Sequence, residues 1–335
     1  MNDYNLSGKT TKNSGAKTTF ITRIIDQIYE ILEKGKNKSI VIALLILAIL
    51  ALPLFANNYV KEVMINTFFY MVLCSGLNIV IGYAGLCDLG YAAFFAVGAY
   101  TTGILSNMGV SFWLCIPIAI ILSIAAGVII GGPTLRLRSD YLAVVTLGFG
   151  EITRIVARNL QITGGASGLV GIKRPVLFGM VINTPNQFYY LFFALVIVAV
   201  VVAYRLHHSR IGRAWKYIRE DEDAAEAMGI NTLKIKLLAY MTGGVYGGVA
   251  GCFFAAKMTS ISPETFLFTQ SAMILLAVVL GGMGKIPGVL LGAAFLVLFP
   301  EVFRGYGELR MLIFGILLII VMLFRPQGLW PDRRS

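Results

Sequence analysis

Residues 212–229 read GRAWKYIREDEDAAEAMG, the one long charged stretch between hydrophobic segments. Counting Tyr217, eleven of these eighteen positions are polar, charged or glycine, and Arg205, Arg210, Lys234 and Lys236 flank them. The residues favour helix, and so polar a helix cannot lie inside hydrocarbon. It forms either a docking surface for a soluble partner or a solvated connection. Its apolar residues favour docking, because Trp215, Ile218, Ala224 and Met228 are left to bury. Asp223 is placed to cap a short helix, with Glu226 three residues on to complete a capping box. Gly229 can take the left-handed conformation that ends one. Upstream, Arg213, Lys216 and Arg219 recur every third residue, while Ala214, Tyr217 and Ile218 lie on another face.

Around this stretch the 335-residue chain is 57% hydrophobic and 13% charged, with a mean hydropathy of +0.79. That composition belongs to an all-α polytopic membrane protein. The net charge of +11 raises nucleic acid as a partner. Its distribution excludes that, since the basic residues sit beside hydrophobic spans, where they fix orientation and meet anionic membrane lipid. Cys74, Cys87, Cys115 and Cys252 lie in or at the edges of apolar segments without CxxC spacing, so buried free thiols are expected, and no metal.

The first residues, through about Lys17, have the composition of a disordered tail. From 18 to 34, Ile21, Ile24, Ile25, Ile28, Ile31 and Leu32 recur at helical spacing opposite Arg23, Asp26, Glu30 and Glu33. This amphipathic helix lies on the cytoplasmic membrane surface or packs on the protein itself. Residues 1–38 form the cytoplasmic tail, 39–330 the transmembrane domain with its loop at 205–236, and 331–335 a second cytoplasmic tail. Spans are expected at 39–56, 63–83, 89–107, 112–131, 140–158, 187–206, 237–256, 266–283, 286–303 and 309–324. The third, fifth and ninth are rich in glycine or polar residues and could be short, broken or re-entrant, so eight to ten crossings are expected. With ten, Lys and Arg number 20 on the side of the N-terminal tail, the charged loop and the C-terminus, against 8 on the other. The positive-inside rule then places both termini in the cytoplasm. No cleavable signal peptide is visible.

Enzyme signatures are absent from the sequence. His207 and His208 are its only histidines, adjacent in the cytoplasmic loop, and no GxxxxGK[ST] occurs, so if the chain works in an ATP-driven process another chain must supply the hydrolysis. An ion-coupled carrier needs carboxylates deep in its bundle. Here Asp88 opens a span and reads as a helix N-cap, and Glu151 pairs with Arg154, as Glu301 does with Arg304, near span ends. Three glycine-bearing motifs remain. DLGYAAFFAVGAYT (88–101) puts Gly90, Ala93, Val97 and Thr101 on one face, for close helix approach, with Tyr91, Phe94, Phe95 and Tyr100 elsewhere. LGGMGKIPGVLLGA (280–293) breaks the backbone at membrane depth around Gly282 and Gly284, as a tight hairpin or part of a path. TGGASGLVGI (163–172) is an external segment, with Thr163, Gly164 and Gly165, whose backbone N–H groups are exposed.

Together these motifs, with RLRSDYLAVVTLGFGEITR (136–154), the charged stretch and the closing FRPQGL (324–329), follow the order seen in LivM-type permeases of branched-chain amino acid ABC importers. The resemblance covers about 38–330. The spacing Asp223-Ala224-Ala225-x-x-x-Gly229 resembles the EAA loop of ABC permeases, with Asp in place of the first Glu. It implies that Gly212, Arg213, Trp215, Arg219, Glu220, Asp221, Asp223, Ala224, Ala225 and Gly229 couple to an ATPase. It also implies a LivH-type permease, LivG- and LivF-type ATPases holding ATP and Mg, an extracytoplasmic binding protein and a bacterial cell membrane. The function expected is import of branched-chain or related neutral amino acids. A permease for urea, short amides or another small neutral solute is the alternative, and an ion-coupled carrier is a more distant one. Asp88, Gly90, Tyr91, Phe94, Phe95, Tyr100, Thr146, Glu151, Thr163, Gly164, Gly165, Gly282 and Gly284 are the candidates for the translocation path.

Overall fold

The computed structural model describes residues 38–135, 139–177, 179–307, 309–324 and 328–330. The amphipathic helix at 18–34 and the segment 331–335 lie outside them. Ten helices follow the ten expected spans. They are α1 Lys38–Phe55, α2 Asn58–Leu77, α3 Ala92–Asn107, α4 Phe112–Thr134, α5 Ser139–Asn159, α6 Pro185–His208, α9 Thr232–Met258, α10 Phe268–Gly281, α11 Ile286–Val302 and α12 Leu309–Phe324. Between α6 and α9 the charged stretch forms α7 Arg210–Glu220 and α8 Glu222–Ala227. Two-residue strands make up the described sheet: β1 Leu169–Val170 pairs antiparallel with β4 Ser260–Ile261, and β2 Val176–Leu177 with β3 Met180–Val181. The fold is therefore all-α and polytopic. Among the described residues, those through Leu52 and those from Pro53 onward fall in two separate units, and the second holds all of the candidate site residues.

Among the described residues five helical segments are long and apolar enough to cross a membrane: Asn58–Tyr83, Phe112–Thr134, Pro185–His208, Thr232–Met258 and Pro263–Gly281. As expected of the third and ninth spans, α3 and α11 are short, at 16 and 17 residues, about 25 Å of helix against a hydrocarbon core of about 30 Å. The fifth, α5, is instead a full 21-residue helix, and α10, which the glycine content did not single out, is the shortest of the ten at 14. Burial separates core from rim. The Asn58–Tyr83 and Thr232–Met258 windows are 78% and 61% buried, those of α4 and α6 only 33% and 39%. The latter two present Ile121, Ile129, Val198 and Val201 outward, as a lipid-facing surface does.

Helix direction follows from which residues meet. Phe68 of α2 lies 5.2 Å from Tyr189 at the start of α6 by ring centroids, and Tyr83, beyond the end of α2, lies 4.7 Å from His207 at the end of α6. These two helices therefore run parallel. So do α3 and α9, where Phe94 packs on Tyr240 at 5.3 Å and the backbone of Gly98 crosses that of Gly248. The charged stretch thus sits at one end of the bundle. The TGGASGL segment sits at the other, where Gly168 lies against Ile261 beyond the end of α9.

Glycine sets the core distances. A methyl group at Gly98 would collide with the Gly248 carbonyl, one at Gly251 with the Phe95 carbonyl, and one at Gly76 with Tyr91 and Tyr246. The closest α3–α9 approach is therefore at Gly98, rather than along the expected stripe of Gly90, Ala93, Val97 and Thr101. Gly90 instead lies against the Thr146 backbone of α5. Without a hydrophobic drive between helices in lipid, such backbone contact is what holds them together. Gly98→Val should destabilise the bundle by about 1–3 kcal/mol through overpacking and lower the melting temperature in detergent. Gly132→Ala, with open space where the methyl would go, should leave it unchanged or raise it slightly.

Candidate coupling site

The charged stretch is a pair of short helices, each with a side-chain cap. Ser209 opens α7, its Oγ accepting from Gly212 N at 3.1 Å. The cap of α8 is Asp221, whose Oδ1 accepts from Ala224 N at 3.0 Å. This corrects the expectation of a box built from Asp223 and Glu226. Asp221 is the extended residue between the two helices, with φ −156° and ψ 111°, so its carboxylate faces the free amides. Glu222 and Asp223 fall in the first turn, where their charge still meets the positive end of the helix. Gly229 does what its position suggested. Its φ is +84°, Gly229 N donates to Glu226 O at 2.9 Å, and Ile230 N donates to Ala225 O at 3.1 Å, which is a Schellman ending.

Two faces result. The inward one is anchored by Trp215, which is fully buried, donates from Nε1 to Ile235 O at 2.8 Å and stacks on Tyr83 at 6.5 Å and 17°. Ile218 and Ala225 are buried beside it. Glu222 reaches Lys236 of α9 at 2.5 Å, and Lys236 itself is buried. Gly212 is pressed against the carbonyls of Leu206 and His207, closing the tight turn from α6. The outward face carries Arg213, Lys216, Tyr217, Glu220, Asp221, Asp223, Ala224 and Met228, all exposed. Of the four apolar residues expected to bury, Trp215 and Ile218 do so. Ala224 and Met228 remain on the surface, Met228 at 83% exposure, because moving the cap to Asp221 turns Ala225 inward in their place.

Two basic residues bond the chain's own backbone. Arg213 Nη1 donates to His208 O at the end of α6 at 3.3 Å, and Arg219, though also exposed, donates from Nη1 to Gly82 O of the membrane domain. That acceptor lies in a π-helical turn, Asn78–Tyr83, which continues α2. The sequence NIVIGY carries no recognisable sign of it, and Asn78, Gly82 and Tyr83 were missed as site residues for that reason.

The candidate path residues fall into three places. Asp88, Gly90, Tyr91 and Thr146 build the start of α3. Asp88 Oδ1 accepts from Gly90 N at 2.8 Å, Thr146 Oγ1 from Leu89 N at 3.1 Å, and Ser271 Oγ from Ala92 N at 2.9 Å. Asp88 therefore serves the backbone ahead of the helix, as a cap does, although the residue at the N-cap position is Tyr91. Tyr91, Phe94 and Phe95 are buried against α9 and α2, with Tyr91 Oη donating to Gly243 O at 2.8 Å. Tyr100 stands 5.4 Å from Phe266 by ring centroids.

At the far end, Thr163 Oγ1 bonds Ala157 O at 2.6 Å. Gly164 N and Gly165 N donate to Gln161 O and Leu160 O, so these amides are used within the loop rather than exposed as expected. Glu151 pairs with Arg154 at 2.9 Å, as foreseen, and Arg154 also reaches Glu264 at 3.5 Å. Glu301 likewise pairs with Arg304, at 3.4 Å. Gly282 and Gly284, with φ +107° and +87°, form the tight hairpin between α10 and α11. The closing segment 328–330 folds over it, Leu329 N donating to Leu280 O at 2.8 Å and Trp330 N to Gly281 O at 3.2 Å.

Residues 59–322 match the family described as a branched-chain amino acid transport system / permease component. The chain is 41% identical over 324 residues to the high-affinity branched-chain amino acid transport system permease protein LivM of Escherichia coli strain K12, covering 89% of this chain and 76% of that protein. It is 25% identical over 317 residues to the probable branched-chain amino acid transport permease protein LivM of Methanocaldococcus jannaschii, covering 79% and 91%. It is 24% identical over 281 residues to the high-affinity permease protein LivH of E. coli K12, covering 78% and 90%. No solved structure matches it.

The cap assignment is open to direct measurement. Asp221→Ala should cost α8 about 1 kcal/mol, seen as faster amide exchange in the peptide 222–229. Asp223→Ala should leave that exchange within two-fold of wild type. The opposite order would return the cap to Asp223.

Proposed function

Since the chain belongs to the branched-chain amino acid transport permease family, we propose that it is one of two membrane subunits of an ABC importer for branched-chain or related neutral amino acids. The observation that carries this reading is the division of the charged stretch into a seated face and a free one. Trp215, Ile218, Ala225 and the Glu222–Lys236 pair fix the helix pair to the membrane domain. Tyr217, Met228 and the outward charges are left to dock in an ATPase subunit, where apolar contact gives affinity and charge gives register. The partners are a LivH-type permease, two ATPases that bind ATP and Mg, and an extracytoplasmic binding protein that delivers substrate. This chain supplies no ATPase site of its own.

Closure of the ATPases on ATP moves the seated helix pair, and with it the membrane helices around the path between the two permeases. The permease needs little affinity of its own, since a tight site would slow release. The relatives' names support branched-chain amino acids over urea or short amides. The pairing of Glu151 with Arg154 and of Glu301 with Arg304 supports an ATP-driven importer over an ion-coupled carrier. Both termini lie in the cytoplasm in this reading, as the basic-residue asymmetry requires.

Two measurements test it. In proteoliposomes the complete complex should accumulate leucine only with ATP, the ATPases and the binding protein, and the single chain should accumulate none. Uphill uptake by the single chain on a proton or sodium gradient would overturn the reading. In a background lacking the four native cysteines, single cysteines at Asn13 and Ser335 should be shielded from impermeant thiol reagents in intact cells. Labelling of either from outside would overturn the orientation.

A further inference from the structure

Two interruptions of the membrane helices meet under the charged helix pair. The first is the π-helical turn Asn78–Tyr83. The second is the turn between α10 and α11, where Gly282 and Gly284 hold left-handed backbone. Asn78 joins them, its Oδ1 accepting from Gly284 N at 2.8 Å, and Asn78 is buried to 2% exposure. Arg219 touches both. Its guanidinium donates to Gly82 O, and a methyl group built on Gly284 would stand 3.0 Å from its Nη1. Its stem lies along Gly85, where a methyl group would stand 3.0 Å from Cγ. Gly82 leaves no spare room either, since a methyl there would meet Asn78 Oδ1 and Gly284 N.

A π-turn closes its hydrogen bonds one residue further along than an α-turn and occurs preferentially at functional sites. Such a turn is a place where a helix changes register: rewinding it to α geometry turns the residues beyond it by about 100°. The inward polar contacts of the helix pair, from Trp215 and Glu222, lead to the first turns of α9. Trp215 also stacks on Tyr83, the last residue of the π-turn. Arg219 is the residue of the basic series that hydrogen-bonds to the backbone of that turn.

We infer that Arg219 and Asn78 are positioning residues for transport. Arg219 carries movement of the helix pair α7–α8 into the π-turn of α2, and Asn78 passes it on to the glycine turn between α10 and α11. Arg219 thus acts on the chain's own membrane domain rather than as a contact for the ATPase. The inference rests on the importer reading above and names the membrane elements that receive the movement.

The experiment uses the assembled complex in proteoliposomes and compares wild type with Arg219→Ala, Arg219→Lys and Asn78→Ala. It reads three quantities: the ATPase that co-purifies, the ratio of leucine-stimulated to unstimulated hydrolysis, and kcat and KM for leucine uptake. In Arg219→Ala and Asn78→Ala the co-purifying ATPase should match wild type. The stimulation ratio and kcat should each fall about ten-fold, with KM unchanged. Arg219→Lys keeps one donor within reach of Gly82 O and should recover most of both. Full stimulation in Arg219→Ala would overturn the inference. So would loss of the ATPase in proportion to activity, which would make Arg219 a docking contact. A fall in melting temperature sufficient to account for the lost kcat would make it a structural brace and would equally overturn it. Asn78→Ala guards against the docking outcome, because a residue buried beneath the helix pair cannot touch an ATPase. Absence of leucine stimulation in the wild-type complex would instead count against the importer reading itself.

Discussion

A backbone N–H or C=O without a partner in hydrocarbon costs several kcal/mol, and this fold interrupts its apolar helices more than once. The start of α3 frees the amides of Leu89, Gly90 and Ala92, which go to Thr146, Asp88 and Ser271. The π-turn leaves the Gly82 carbonyl to Arg219, and the glycine turn leaves Gly284 N to Asn78. The end of α10 gives its Leu280 and Gly281 carbonyls to Leu329 and Trp330. In most of these cases the partner comes from a distant part of the sequence, so each seal also joins elements. Thr146, Ser271, Asn78 and one oxygen of Asp88 are therefore explained first by the backbone they satisfy, whereas Asp88 Oδ2, Tyr100 Oη, Thr102 Oγ1 and Ser123 Oγ are buried without a hydrogen bond among the described residues. Asp88 shows the point: a buried carboxylate in a membrane domain invites a role in ion transport, yet one of its oxygens is already committed to Gly90 N.

That constraint also marks where the sequence was readable. Ten apolar segments became ten helices because composition and length decide burial in lipid. Gly229 was readable because only one backbone conformation ends a helix in that way, and the structure gives it φ +84°. The cap lies at Asp221 and not at the expected Asp223, because the two aspartates, two residues apart, offer the same capping chemistry. Which one caps depends on where α7 stops, a matter of packing around Trp215 and Ile218. The π-turn was invisible since NIVIGY contains nothing that an α-helix would refuse. The glycines of TGGASGL were recognised as a loop, but their amides were consumed by carbonyls of Leu160 and Gln161 that periodicity cannot pair with them.

Packing by glycine sets how closely the helices meet. Where Gly98 crosses Gly248 the helices touch backbone to backbone, and at Gly76, Gly243 and Gly244 the space left by the missing side chain receives Tyr91, Val80 and Phe94. Such contacts hold the helices closer than interdigitated leucines would allow. A permease needs helices that hold together in both of its end states and move between them. The aromatic cluster of Phe69, Phe95, Phe254 and Phe266, with ring centroids 4.7–5.3 Å apart, lies further from the charged stretch. It gives that part of the bundle ring-against-ring packing instead.

The charged stretch combines a stiff seat with a soft receiver, and the combination follows from the chemistry of its ends. In the proposed coupling, a load on the exposed face would reach Trp215, which is fully buried, stacked on Tyr83 and tied by its ring nitrogen to Ile235 at the start of α9. Interiors packed to crystal density transmit displacement rather than absorb it. A displacement passed only into straight helices would tilt the bundle as a unit and open nothing. To change the space between helices, some element must deform relative to the rest, and deformation is cheapest where regular hydrogen bonding is already broken. The π-turn and the glycine turn are such places within reach of α7, and they are bonded to each other through Asn78. The same interruptions that need side chains to satisfy their backbone therefore lie directly beneath the polar helix pair, where regular helix would offer it only straight rods.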